Sequence, residues 1–381
     1  MNISPKILIK NFLKKIKMLT IINFDKFLYL TKYKKVHFEN VIFISEKNDW
    51  AIKLVGKNIT EKLNQRNNNF IKFTSSPKYY QNKIIHFGSQ YMWVDWWKNI
   101  PKKNHYIVSF FHGKKEDGDD VKKHISDFLE SLPYITTIVV SSSIVKKRLL
   151  LWGVPLDKIS LIPIGVNNSH FKPVNAIQKN KVRTEYGLKK TTVVIGSFQK
   201  DGVGWGKGNL PKLIKGPDIF IEVVKLLKEQ GYDILIFLTG PARGYVKQEL
   251  RKINVKFIHK YFENQNDLLN CYHVLNLYLI TSREEGGPMG LMEAMASGVP
   301  VVSTPVGMSV DLIKNNISGK LAKDFEAKNL LTLVTELLDN KKLNKKIIRN
   351  ALSVVDDVNW YNISEKHYSE VYLPLINKKI I

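Results

Sequence analysis

The stretch 282-SREEGGPMGLMEAMASGVPVVSTPVG-307 decides how the rest of this chain is read. The run "VLNLYLITS" (274–282) leads into it and "VPVVST" (299–304) lies near its end; both read as buried strands. Between them, Pro288 suits the first turn of a helix, where its missing N–H has no helical acceptor in any case. The helix runs through Met295 and stops near Gly298, a residue suited to the turn that ends helices. Strand, glycine loop, helix and strand in this order make one unit of a parallel sheet with helices on its faces. Ligands of such sheets bind beyond the carboxyl ends of the strands, which is where this loop lies.

Loop and helix together hold Glu285 and Glu293 eight positions apart. Glu285 falls at the loop tip, and Glu293 is about five residues into the helix, roughly 8 Å further along its axis. Between them the N–H groups of Gly286, Gly287 and their neighbours point outward at the positive end of the helix, a place that binds phosphate. An ionised carboxylate only accepts hydrogen bonds, so a glutamate on each side of a phosphate site suits hydroxyl groups. A nucleotide sugar carries hydroxyls, a diphosphate and more hydroxyls in a row. Taken singly, Glu285 reads as a loop charge and Glu293 as a surface helix residue; the glycines and flanking strands favour the ligand reading.

The alternation extends outward in both directions. "VIFIS" (41–45), "KIIHF" (83–87), "YIVSFFH" (106–112) and "TTIVVSS" (136–142) read as buried strands. "DVKKHISDFLESL" (120–132) is a helical pattern that Asp119 or Asp120 is placed to cap. "IPIGVNNSHFKP" (162–173) has the composition of a linker. The pattern then restarts with "TVVIGSF" (192–198), the helix "GPDIFIEVVKLLKEQGY" (216–232), "DILIFLTG" (233–240) and "KFIHKY" (256–261). The class is therefore α/β, with two Rossmann-like β/α/β domains, 1–165 and 166–355, facing a cleft. A C-terminal helix in 356–381 is placed to pack back on the first domain. Trp93, Trp96 and Trp97 in "YMWVDWWKN" (91–99) read as packing under a helix rather than as a stacking platform. Gly88 and Ser89 read as a short turn.

Composition sets the outer bounds. The chain has 381 residues, 44% of them hydrophobic and 24% charged, as in soluble globular proteins. Its net charge is +25, and residues 1–100 hold 18 Lys/Arg against 6 Asp/Glu. Such a surface attracts phosphate on nucleotide, lipid or nucleic acid, although a general Lys/Asn/Ile bias gives the same count. The basic residues are dispersed and no recognition motif accompanies them, so nucleic acid is not an expected partner. The single cysteine, Cys271, forms no intramolecular disulfide and suits a reducing compartment. No apolar run reaches the roughly 18 residues that span a bilayer. The start, "SPKILIKNFLKKIKMLTIINF", lacks the continuous apolar core of a signal peptide. It reads either as a basic amphipathic helix lying on an anionic membrane or as a solvated helix. The expected location is the cytoplasm, with peripheral contact at the inner face of the membrane.

"EGGPMGLMEAMASGVPVVST" resembles the E-x7-E signature of retaining GT-B glycosyltransferases, glycosyltransferase family 4 in particular. "VVSSSIVKKRLLLWGVPLDKISLIPIGVNNSHFKP" (139–173), then "GSF", "KGPDIFIEVVKLL" and "LTG", are similar to further pieces of that family in the same order. The resemblance covers roughly 105–325 and implies the GT-B fold and a hexosyltransferase type of activity. It implies that Glu293 holds the donor's ribose hydroxyls and Glu285 hydroxyls of the transferred sugar. The backbone from Gly286 through Gly287, Pro288 and Met289 to Gly290 would meet the diphosphate or the sugar. Lys215, before Gly216, matches the second of the family's two diphosphate contacts; Lys200 and Lys207 are alternatives for the first. His112 matches a first-domain histidine that reaches the sugar. Two departures stand out: "ISEKNDWAIKLVGKNI" replaces the usual glycine-rich loop, and Asn276 and Asn167 stand where Asp is common.

The resemblance implies transfer with retained configuration from a nucleotide sugar to a glycan or lipid-linked acceptor, in polysaccharide or glycolipid synthesis. No carboxylate is an evident nucleophile, which points to a front-face route. No cofactor or metal is expected; Asp117 and Asp119 mimic a metal-binding Asp-x-Asp, but short acidic loops are common. A GT-B-fold nucleotide-sugar epimerase and a basic nucleic-acid-binding protein are the competing readings.

Overall fold

The computed structural model describes residues 40–47, 51–75, 79–262 and 265–378, together with ten helical positions between 12 and 27. The basic N-terminal stretch therefore lies largely outside the described residues. The chain divides into two compact units. The first runs up to Val140 and adds Leu149–Ile162 and the chain from Ser364 onward; the second comprises Ser141–Arg148 and Pro163–Ile363.

The first unit is built on six parallel strands: β1 (Val41–Ile44), β2 (Ile71–Thr74), β3 (Ile84–Phe87), β4 (His105–Phe110), β5 (Thr137–Val140) and β6 (Ile159–Leu161). Their order is β2-β1-β3-β4-β5-β6. β1 and β3 are buried along their whole length, as strands covered on both faces must be. Helix Ala51–Arg66 presents Val55, Ile59 and Leu63 on one buried stripe. Gly56 in that helix lies against the Phe43 ring, where a Cβ would collide, so the glycine sets how closely helix and β1 approach.

The second unit has β7 (Val193–Phe198), β8 (Ile234–Thr239), β9 (Lys256–Lys260), β10 (Leu277–Ile280), β11 (Val301–Ser303) and β12 (Lys320–Leu321). All pair in parallel, in the order β12-β11-β10-β7-β8-β9. This is the dinucleotide-fold order 3-2-1-4-5-6 read from the other edge. Helix Pro217–Glu229 buries Ile219, Phe220, Val223, Val224 and Leu227 against β7 and β8, and Gly231, with a φ of 85°, closes it.

Three strands have no counterpart in the alternation: β2, β6 and β12. Each lies at a sheet edge, where one side is open to water and an apolar run is not required. The helix at 119–130 also starts differently from expectation. Gly118 takes the capping position with a φ of 125°, and Asp119 and Asp120 lie inside the first turn, near the positive helix end. Ser89, read as part of a turn, caps helix Gln90–Trp96 by accepting from Tyr91 N. Trp93 is fully buried, packs on Phe87 and Tyr106, and donates to Ser131 Oγ at 2.6 Å.

The final helical segment passes through a π-helical stretch, His367–Tyr372. There Tyr372 is buried in the first unit, with its hydroxyl 2.8 Å from His86 Nδ1, while His86 Nε2 meets Ser109 Oγ at 2.9 Å. Burial holds the His86 pKa well below its ordinary value, and the neighbouring His367 adds to this.

Candidate functional site

β7 and β10 are neighbours in the second sheet, but the chain leaves them toward opposite edges. Their carboxyl ends therefore open a crevice that no crossover covers, the place where such sheets bind ligands. Two loops fill its rim: Gln199–Gly216 after β7 and Thr281–Pro288 after β10. They are laced together by the backbone. Arg283 N and Glu284 N both donate to Ile214 O, at 2.8 and 3.1 Å. Thr281 Oγ1 donates to Gly216 O at 2.8 Å, and within the first loop Gln199 Nε2 donates to Lys215 O at 3.1 Å. Arg283 adds a forked pair with Asp218, at 2.8 and 2.6 Å. Gly216 has a φ of 59°, and a side chain there would run into the Thr281 carbonyl. The Lys-Gly pair thus has a local cause: the glycine lets the two loops touch, and the touch fixes the lysine.

Lys215 Nζ lies 2.5 Å from Glu285 Oε1, and the Ser282 hydroxyl stands 3.1 Å from the same oxygen. Lys212 is close by and half-buried. Burial lowers its pKa first, then the charges of Lys215 and Lys200, while Glu285 opposes the shift. Lys212 thus feels the charges of Lys215, Lys200 and Glu285, and of these lysines it is Lys215 that pairs with the carboxylate. Sequence reasoning found Lys200, Lys215 and Glu285 but not Lys212, which nothing in "NLPKLIKG" distinguishes from an ordinary surface lysine.

Helix Met289–Ala296 starts at the same rim, directly after Gly286, Gly287 and Pro288. The N–H groups of its first turn have no acceptor within the helix. Gly290 lies against the Tyr278 hydroxyl, where a Cβ would clash, and Gly287 against Ile164 and Met308. Ser141 Oγ donates to Gly286 O at 2.8 Å and pins the loop. Arg148 grips Glu284 with two bonds of 2.6 and 3.0 Å; neither residue was singled out from sequence.

Glu293 is the fifth residue of this helix and is buried. The Tyr272 hydroxyl donates to its Oε2 at 2.7 Å. Burial lifts its carboxyl pKa to about 7, against the smaller opposing effect of the Tyr272 hydrogen bond. Tyr272 is also absent from the sequence reading, because "NCYHV" carries no motif.

The Gln199–Gly216 loop is long because it folds into an arm. Gly202 bridges Pro211, Val203 N donates to Leu210 O at 2.9 Å, and Lys212 N to Asp201 O at 2.7 Å. At its base Arg243 Nε lies 3.0 Å from Asp201 Oδ1, with both side chains fully buried. Arg243 also donates to the carbonyls of Ser197, Gln199 and Thr239 at 2.6–2.9 Å. Burial raises the Asp201 pKa, and the Arg243 charge opposes it. Lys200 Nζ sits 3.8 Å over the Trp205 ring, and burial lowers its pKa. Lys207 is exposed on the arm, and its carbonyl accepts from Gly244 N at 2.8 Å.

His112 belongs to the first unit, two residues beyond β4, with its carbonyl accepting from Gln90 Nε2 at 3.0 Å. Its ring centroid is 6.3 Å from that of Tyr91, on which His124 stacks. Asp117 accepts from Lys114 N. Among the described residues, no three His, Cys, Asp or Glu side chains group closely enough to hold a metal ion. None of the helices searched there is long and apolar enough to cross a membrane.

Residues 207–354 match the family model of glycosyl transferases group 1. The chain is 26% identical over 234 residues to the UDP-Gal:alpha-D-GlcNAc-diphosphoundecaprenol alpha-1,3-galactosyltransferase of Escherichia coli, covering 58% of this chain and 56% of that one. It is 24% identical over 226 residues to the N,N'-diacetylbacillosaminyl-diphospho-undecaprenol alpha-1,3-N-acetylgalactosaminyltransferase of Campylobacter jejuni, covering 55% and 58%. The chain spans about three fifths of the length of the curated relatives it matches. Anabaena HepE in complex with UDP and glucose superposes with a TM-score of 0.69 at 14% identity, over 87% of this chain and 99% of that one. The chain has the GT-B fold of two parallel α/β sheets, and its residues 207–354 match the glycosyl transferases group 1 family.

Proposed function

We propose that this chain is a glycosyltransferase that moves a hexose-type sugar from a nucleotide-sugar donor to a glycan or lipid-linked acceptor, in the synthesis of a surface polysaccharide or glycolipid. The observation that carries the reading is the Lys215–Glu285 pair beside the start of helix Met289–Ala296, with Lys212 near enough to feel both charges. Cations and the N–H groups of a helix start at one rim suit a diphosphate; carboxylates beside them suit hydroxyls. The names of the relatives agree in kind, two of them acting on sugars carried by a lipid diphosphate.

In the proposed reaction the bond from the anomeric carbon to the diphosphate oxygen breaks. The acceptor oxygen bonds to the same face, so configuration is retained, and the acceptor's proton passes to the departing diphosphate. Lys215, a second lysine and the helix end stabilise the charge that develops there. Glu285 holds hydroxyls of the sugar and Glu293 those of the ribose. His112 is assigned to the sugar on the resemblance alone. The lysines supply the positive charge, and the proposal includes no metal. The cationic balance and the lipid-linked acceptors of the relatives support a cytoplasmic enzyme in peripheral contact with an anionic membrane.

A thermal-shift panel of UDP-, GDP- and ADP-sugars tests the donor, followed by NMR of the product's anomeric centre. One donor should raise the melting temperature, and the new bond should keep the donor's configuration. No shift with any sugar nucleotide, or release of an epimerised donor without transfer, would overturn the proposal.

A further inference from the structure

The arm between Asp201 and Lys212 holds more apolar surface in water than a diphosphate site requires. Val203 is 54% exposed, Trp205 60%, Leu210 70% and Leu213 55%. They are not strays on a slack loop. The Gly202–Pro211 bridge sets the hairpin, and the buried Asp201–Arg243 pair anchors its base. Gly244 N and Tyr245 N, donating to Lys207 O and Gly208 O at 2.8 and 2.9 Å, clamp its far side. Gly208 and Gly202 both lie where a side chain would strike the Ala242 carbonyl, so the clamp is tight. The apolar tip is therefore presented by a rigid frame.

The charge on the arm has one sign. From Gly202 to Pro217 the sequence holds Lys207, Lys212 and Lys215 and no Asp or Glu. A sugar platform would set carboxylates or amides around the ring to accept from hydroxyls, and Asn209 is the only such side chain in that span. Exposed Trp, Leu and Val beside the exposed Lys207 instead match the boundary of an anionic bilayer. There an indole sits at headgroup level and ammonium groups meet phosphate.

We propose that the arm is a docking surface for an anionic lipid membrane, with Val203, Trp205 and Leu210 entering the headgroup–acyl boundary and Lys207 meeting the headgroups. This deepens the membrane contact proposed above by naming a surface in the second unit, and it needs no assumption about the donor.

The test uses the full chain with vesicles of phosphatidylcholine and phosphatidylglycerol, or phosphatidylcholine alone, carrying brominated acyl chains. The wild type should sediment with the anionic vesicles and lose tryptophan fluorescence to the bromines; Trp205→Phe should lose most of that quenching. Val203→Ser with Leu210→Ser should weaken sedimentation on the order of tenfold while leaving the melting temperature unchanged. Vesicle binding with equal quenching in wild type and Trp205→Phe would place the membrane contact elsewhere and overturn this surface. Absence of any vesicle binding would overturn the membrane contact altogether. Protection of Trp205 by a soluble oligosaccharide or an acidic protein, with no effect of lipid, would reassign the arm to that partner.

Discussion

The ammonium of Lys215 and the carboxylate of Glu285 lie 2.5 Å apart, joined across the gap between two loops that follow neighbouring strands. Each is mostly screened from water by those loops, so the pair fixes the rim before any ligand arrives. Lys215→Ala and Glu285→Gln should each lower turnover on the order of a hundredfold or more, as removal of one charge-stabilising group does at other sites. Melting temperatures should stay within a few degrees of wild type. Steady-state kinetics with the donor found by thermal shift would read this, and full activity in both variants would remove the pair from the chemistry.

Glu293 gives a pH signature. Its carboxyl, lifted by burial from an ordinary 4.5 to about 7, holds a proton in the folded chain that the unfolded chain releases. The folded state therefore loses stability as pH rises from about 4.5 to about 7, and the loss is complete above that. Glu293→Gln removes the effect and keeps an acceptor for the Tyr272 hydroxyl. The variant should gain on wild type with rising pH, by up to about 3 kcal/mol at pH 8. Denaturant melts at pH 5 and pH 8 would show it; a gap that does not widen refutes the buried neutral carboxyl.

The arm's base should be costly to break and cheap to replace. Arg243→Ala leaves Asp201 buried without its partner and strands three backbone carbonyls, which should cost about 3–5 kcal/mol. Asp201→Leu combined with Arg243→Met should recover a measurable part of that loss. Equal destabilisation in single and double variants would mean that the carbonyl bonds, not the ion pair, hold the base.

Gly216→Ala should damage site and fold together. The residue is left-handed, with the Thr281 carbonyl where a Cβ would go. About 1–3 kcal/mol of stability should be lost, with donor affinity falling because Lys215 shifts. A variant with wild-type melting and donor binding would show that the two loops part without penalty.

Much of this was legible in the residues. Strands buried on both faces announce themselves as unbroken Val/Ile/Leu runs, so β1, β3, β7, β8 and β10 were read correctly, and with them the crevice that places Glu285. Edge strands such as β12, only two residues long, have no such signal. Within the site, Glu285 and the glycines stood out because a loop-to-helix turn demands particular residue types, and Lys215 because its Lys-Gly pair resembles the family's. Lys212, Tyr272 and the Arg148–Glu284 fork did not, since no local motif marks them; the fork joins residues 136 positions apart. The Asp119 cap failed for a local reason: Gly118 adopts a backbone conformation open to glycine and takes the position first.

The hydroxyl of Tyr372 reaches His86 across 286 positions of chain. During synthesis the first unit emerges early, yet this part of its interior has no tyrosine to close it until the second unit has been almost entirely made. A ribosome that stops short of residue 372 would thus spoil the unit translated first, leaving a buried imidazole without its cover, while most of the second unit would already be complete.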